Sequence, residues 1–145
     1  SAIIYQVLYS FAAIGIFAIL TITLVPAADD YEISNLKGFG IVKKLAAFCM
    51  SVFMFSLVGI PPLAGFFGKF YVIESAIFAK EYLAAVIAIL LSVISAYYYI
   101  NIVRVMYFSA PDGKQIRLHV SSSLVCVISI CTAVTLLFPI LQQFL

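Results

Sequence analysis

The 145-residue chain has no tryptophan, a single histidine and three cysteines, and Asp, Glu, Lys and Arg together make up only 10% of it. Soluble domains carry about 25% charged residues, so the scarcity of charge argues against a surface built for water. One histidine, His119, excludes a bis-histidine haem site within the chain and leaves no Cys/His set with metal-ligand spacing. Cys49, Cys126 and Cys131 all lie in apolar runs. An odd count without close pairing is no disulfide framework, and the three read as small apolar residues facing lipid or neighbouring helices. Seven glycines and five prolines are too few for a collagen-like or disordered chain. The formal net charge of +2 comes without a basic cluster, so there is no electrostatic case for nucleic acid as a partner.

What the chain has in abundance is apolar surface. Hydrophobic residues make up 66% of it, and the mean hydropathy is +1.22. Lipid is the solvent this composition suits. A spanning helix needs about 20 apolar residues at 1.5 Å each to cross a core of about 30 Å. Ile3 to Val25 meets that length without a charge and is stopped by Pro26 and the polar stretch Ala27-Ala28-Asp29-Asp30. It is too long for a signal peptide's apolar region and lacks the basic start and polar cleavage flank. Tyr82 to about Tyr107 and about Val120 to Phe138, or to the end, read as further spans. Between these two, Ser109-Ala110-Pro111-Asp112-Gly113-Lys114 is a turn-forming polar loop.

The remaining apolar region, Leu45 to Ala79, is too long for one ordinary crossing and contains Gly59-Ile60-Pro61-Pro62. Two consecutive prolines remove two donors and clash with the preceding turn. A helix therefore ends near Val58 and another starts near Pro62, where proline suits a first turn. Each half alone is short for a crossing. The expected architecture is all-α: a polytopic membrane helix bundle over residues 1–145 as a single transmembrane domain. It has four crossings, of which the second is a discontinuous helix. The first and third loops carry Lys37, Lys43, Lys44, Lys114 and Arg117, with Arg104 close by, against Lys80 alone in the opposite loop. That bias places the first and third loops on the cytoplasmic or matrix side. Asp29, Asp30 and Glu32 lower the net charge of the first loop, but the rule counts Lys and Arg.

Lys69 is the residue that apolar composition does not explain. Counted from Pro62 it lies roughly 11 Å into the second half-helix, with Ala79-Lys80 about 15 Å further on, at 1.5 Å per residue. An amine near mid-membrane costs at least about 2.5–3.5 kcal/mol to insert. Desolvation disfavours the charged amine, so such a lysine can lose and regain its proton near neutral pH, whereas arginine cannot. One reading is a proton-relay group facing the bundle interior; the other is a lysine permanently paired with a carboxylate from another helix. Interrupted helices recur at transporter ion sites, because their ends carry partial charge and free backbone groups. Unwound backbone at that depth is tolerated only inside protein or beside a wet cavity.

Other polar residues support smaller expectations. Ser92, Ser95 and Tyr99 share one face at i, i+3 and i+7 and form a candidate polar path or bond between helices. Glu74 stands about 140° round the helix from Lys69, so the two do not face each other; it is a candidate for the path or a partly hydrated acid nearer the interface. Arg104 is placed to snorkel. Tyr97 and Tyr98 read as packing anchors, and Tyr5 and Tyr9, one turn apart and near Gly15, read as core packing.

The run from Phe55 through Ser56-Leu57-Val58-Gly59-Ile60-Pro61-Pro62-Leu63-Ala64-Gly65-Phe66-Phe67-Gly68-Lys69 to Phe70 resembles the broken-helix segment of antiporter-like subunits of the respiratory NADH:quinone oxidoreductase, complex I. Ser92-Val93-Ile94-Ser95-Ala96-Tyr97-Tyr98-Tyr99, followed by Arg104 and Met106-Tyr107, is similar to the next helix in the subunit N branch (subunit 2 in mitochondria). Tyr5-Gln6-Val7-Leu8-Tyr9, with Gly15 and Phe17, is similar to its preceding helix. Related subunits more often carry histidine and lysine there, which favours subunit N. The resemblance covers nearly the whole chain.

It implies a fourteen-helix subunit of which this chain matches the last four helices, with the termini outside, in agreement with the charge bias. The glutamate and lysine pair of the family's first half is absent, so the chain looks like the C-terminal third of a longer protein. By the same match Lys69 falls on the lysine of the second half-channel, a proton-transfer residue. The helix break is at Gly59, Pro61 and Pro62, whereas Glu74 is outside the family pattern. The implied setting is the bacterial inner membrane or the mitochondrial inner membrane. Its partners would be the other membrane and peripheral subunits of complex I and the lipid bilayer. NADH, flavin, iron–sulfur clusters and quinone would belong to those partners, with no cofactor or metal bound by this chain. A subunit of a multi-subunit cation/proton antiporter shares the motif, and a structural membrane subunit with an inert buried lysine is the rival of another class.

Overall fold

A computed structural model of the chain describes residues 2–24, 36–111 and 121–144. Its elements are α1 (Ala2–Leu24), α2 (Phe39–Val42), α3 (Lys44–Val58), α4 (Ala64–Phe78), α5 (Tyr82–Phe108) and α6 (Ser122–Phe144). In lipid each backbone group must find its partner within the protein, so uninterrupted apolar runs settle as helices. Within α1, α5 and α6, three segments are long and apolar enough to cross a membrane: Ile3–Ile22, Tyr82–Phe108 and Ser122–Leu141. The 15 residues of α3 and the 15 of α4 each rise about 22 Å, short of a core of about 30 Å.

Most of the expected boundaries agree with these helices. The described part of the first span ends at Leu24, and α6 continues through Pro139 to Phe144 rather than stopping at Phe138. Pro26, Asp29, Asp30, Glu32, Lys114, Arg117 and His119, on which the loop reading partly rests, lie outside the described residues. The one-turn helix α2 was not foreseen.

At the interruption, α3 stops at Val58 as proline chemistry requires, but α4 begins at Ala64 and not near Pro62. The reason is local. The Leu63 N–H donates to the Ile60 carbonyl at 3.0 Å, closing a turn over both prolines. Leu63 itself is extended (φ −79°, ψ 157°), so helical geometry starts one residue later. Gly59, at φ 87°, ends α3 in a left-handed closure. Its N–H donates to Ser56 at 3.0 Å and the Ile60 N–H donates to Phe55 at 3.2 Å, which satisfies two of the helix's last carbonyls. The far end of α4 closes the same way around Lys80, at φ 60°. There the Lys80 N–H donates to Ile77 and the Glu81 N–H to Ala76, both at 2.9 Å. Only Ala79, Lys80 and Glu81 separate α4 from α5.

The short helix α3 is the centre of the bundle. Ala47, Met50, Phe53, Met54 and Leu57 from α3 meet Ala12, Ile16 and Ile19 of α1, Met106 of α5 and Cys131 of α6 in one buried cluster. Phe53 is fully buried, and its ring lies over Gly15, where a side chain would collide with it. α1 packs against α6, α4 and α3, while α5 packs on α3 and α4. The interruption is therefore held between α1 and α5. Cys49, Cys126 and Cys131 are free thiols. Tyr97 and Tyr98 do not anchor packing within the described chain: they are exposed and meet each other edge-on at 5.7 Å.

Candidate functional site

From its start at Ala64, α4 carries Lys69 only about 7.5 Å along its axis at 1.5 Å per residue, less than a start at Pro62 would give. The half-buried side chain turns back towards the interruption. Its Nζ donates to the Val58 carbonyl at 3.1 Å. Val58 is the last residue of α3, and the final carbonyls of a helix have no partner within it. The ammonium thus sits on the negative end of the α3 dipole, an arrangement worth about 0.3–1 kcal/mol and up to ~2 where partly buried. That offsets part of the cost of a cation among apolar helices.

Glycines make the approach geometrically available. A Cβ on Gly59 would lie 3.2 Å from Lys69 Cδ, in a backbone conformation that L side chains rarely adopt. On α4, a Cβ at Gly65 would be driven into the Ser56 carbonyl, and one at Gly68 would stand 2.8 Å from the Tyr5 ring. The Gly65 N–H donates to Ser56 Oγ at 3.1 Å, so a serine of α3 caps an otherwise unpartnered amide in the first turn of α4. Gly68 lets α1 come close, which brings Tyr5 beside Lys69.

These contacts enclose an open cavity of about 420 Å³. Lys69, Ser92, Ser95 and Tyr99, foreseen separately, all line it. The Ser92 and Ser95 hydroxyls donate to Ala88 and Leu91 of their own helix, both at 2.8 Å, rather than bonding between helices. Their lone pairs remain as acceptors. Tyr5, Gln6 and Tyr9 of α1 complete the polar lining, with the two rings 6.1 Å apart and the Tyr99 hydroxyl facing them from α5. The reading of Tyr5 and Tyr9 as core packing is corrected: docking at Gly68 turns them to the cavity. Two hydroxyls and an amide within one turn of an uncharged helix were the available signal. Glu74 does not line the cavity. Pro61 and Pro62 shape the turn before α4 and are themselves exposed.

Chemically, the arrangement offers one amine, three phenols, two serine hydroxyls and a carboxamide around a space large enough for several waters. It can hold and pass protons. Among the described residues no three His, Cys, Asp or Glu side chains come together to hold a metal ion.

Comparison with known proteins gives the same direction. Residues 1–95 match the family described as NADH:quinone oxidoreductase/Mrp antiporter, transmembrane. NADH-quinone oxidoreductase subunit N of Paramagnetospirillum magneticum is 38% identical over 96% of this chain and 28% of its own length. Subunit N of Beijerinckia indica is 45% identical over 74% of this chain and 22% of its own. Subunit N of Granulibacter bethesdensis is 43% identical over 94% and 30%. The chain spans less than a third of the length of these curated relatives. With the family matched over residues 1–95, about two thirds of its length, the chain belongs to the NADH:quinone oxidoreductase/Mrp antiporter transmembrane family.

Proposed function

We propose that the chain is part of a proton-translocating membrane subunit of NADH:quinone oxidoreductase and that Lys69 is its proton relay. The observation that carries this reading is the Lys69 amine, bonded to the Val58 carbonyl at 3.1 Å, on the wall of a cavity otherwise lined by hydroxyls, one carboxamide and apolar side chains. An ammonium held by a backbone carbonyl can release its proton without leaving a carboxylate uncompensated. An inert ion pair needs such a carboxylate, and among the described residues Glu74, the acid of the same helix, is away from the cavity. In this reading Ser92, Ser95 and Tyr99 carry protons to or from Lys69 through water, and Tyr5 and Tyr9 continue the path on the α1 side.

Residues 1–145 then form one transmembrane domain of four crossings, the second made by α3 and α4 in series around Gly59, Pro61 and Pro62. The first and third loops face the cytoplasm or matrix, and the membrane is the bacterial or mitochondrial inner membrane. The energy comes from elsewhere: NADH, flavin, iron–sulfur clusters and quinone sit in the partner subunits, and quinone reduction there shifts the charges that neighbour Lys69. The subunit N relatives favour this over an Mrp-type cation/proton antiporter, whose family is shared.

Lys69→Met and Lys69→Arg in the full-length protein, assembled in its complex and reconstituted into vesicles, test the proposal. Methionine gives up a charge-assisted bond of about 1.5–3 kcal/mol but also an insertion cost of about 2.5–3.5 kcal/mol, so assembly is expected to survive. Arginine keeps the charge but cannot release its proton. Both are expected to lower NADH-driven proton uptake per electron. Undiminished uptake in both, with normal assembly, refutes the relay.

A further inference from the structure

Towards the other end of α1 from the Lys69 cavity, α1, α3 and α6 leave an open groove of about 710 Å³. Its walls are apolar, among them Leu45, Val125 and Leu136, all exposed along it. Its mouth is not. Lys43 and Lys44, where α3 begins, stand at one end. Two cations at the start of a helix oppose its dipole, and no acidic residue occupies the first turn of α3 to offset them. Neither lysine has a described ion-pair partner. On α6 the groove runs from Val125 to Leu136, about 16 Å at 1.5 Å per residue. That is roughly half of a hydrocarbon core of about 30 Å, the depth of one leaflet.

We infer that this groove is a binding site for an anionic phospholipid, with the phosphate at Lys43 and Lys44 and an acyl chain lying between α3 and α6. The charge pattern selects the occupant. A transmembrane helix from another protein would fill the apolar walls but would leave two cations that have no counter-charge among the described residues. A zwitterionic lipid would fill the walls and bring a phosphate already neutralised by its own amine. An anionic headgroup answers both features, and basic pockets between helices are where such headgroups bind. The inference does not depend on the role of Lys69.

The test uses the full-length protein in its complex, in phosphatidylcholine vesicles carrying a trace of phosphatidylglycerol with a photoreactive tail. The same tail on phosphatidylcholine is the comparison. Crosslinks to peptides covering Leu45–Cys49 and Val125–Leu136 are expected to favour phosphatidylglycerol by roughly thirtyfold, since each of the two surface lysines contributes about 1 kcal/mol toward an anionic headgroup. Lys43→Gln with Lys44→Gln should bring that labelling down to the phosphatidylcholine level. Ala133→Trp, which fills the groove from an exposed position, should abolish labelling by both lipids. Equal labelling by the two headgroups overturns the inference, as does labelling indifferent to the double lysine variant. A groove that takes no lipid because another segment of the longer protein crosslinks into it overturns it too.

Discussion

Removing one oxygen in Ser56→Ala probes how the two short helices are joined. Ser56 is 3% exposed and its Oγ accepts the Gly65 N–H at 3.1 Å. Alanine leaves that part-buried amide with nothing to donate to, because a helix's first amides have no partner of their own. An orphaned buried donor costs about 1–3 kcal/mol, a factor of roughly 5–150 in the equilibrium between the closed joint and its locally opened form. The void left by a single hydroxyl is small, so packing loss adds little. Hydrogen–deuterium exchange on the complex in vesicles reads the effect directly, since overlapping peptides isolate the Gly65 amide. Its protection should fall by that factor in Ser56→Ala while amides in the middle of α5 stay unchanged. Ser56→Thr, which retains the oxygen, should keep most of the protection. Unchanged exchange at Gly65 in the alanine variant would refute the cap and the account of α3–α4 closure built on it.

Gly59→Ala adds about 1–2 kcal/mol of left-handed strain and a Cβ 3.2 Å from Lys69 Cδ; faster thermal inactivation and lower proton uptake per electron are both expected, and the same assays on Gly59→Asn should show a smaller loss of stability. Lys80→Gly removes the strain at φ 60° without touching the cavity, so it should slow thermal inactivation by an amount corresponding to about 1 kcal/mol and leave proton uptake unaltered. Tyr99→Phe deletes one hydroxyl from the cavity wall and almost no packing; a slower proton-coupled turnover with unchanged assembly is the expected outcome in reconstituted vesicles, and normal turnover would remove Tyr99 from the path.

The parts of this structure that could be read from the chain are those decided by residues next to one another. Gly59, Pro61 and Pro62 stop a helix wherever they occur, so the end at Val58 was legible. Lys69 stood out because nothing in an apolar run explains a cation, and Ser92, Ser95 and Tyr99 share a face by helical spacing alone. The start of α4 was misplaced because the turn from Ile60 to Leu63 and the extended Leu63 override the preference of proline for a first helical position. Ser56 passed unnoticed since its partner, Gly65, is brought to it only by the fold-back of the chain. Tyr5 and Tyr9 were assigned to packing because the face that α1 shows the cavity is set by where it docks on Gly68, a relation between helices that helical spacing does not contain.

The bond from Lys69 to Val58 has a mechanical side as well. It fastens one rod to the end of another at a place where the main chain itself supplies no rigid splice. An ionised donor grips a carbonyl about twice as firmly as a neutral one. Under the relay proposed for Lys69, each departure of the proton would slacken the fastening and each return would tighten it, so that charge and the set of the two rods would vary as one coordinate.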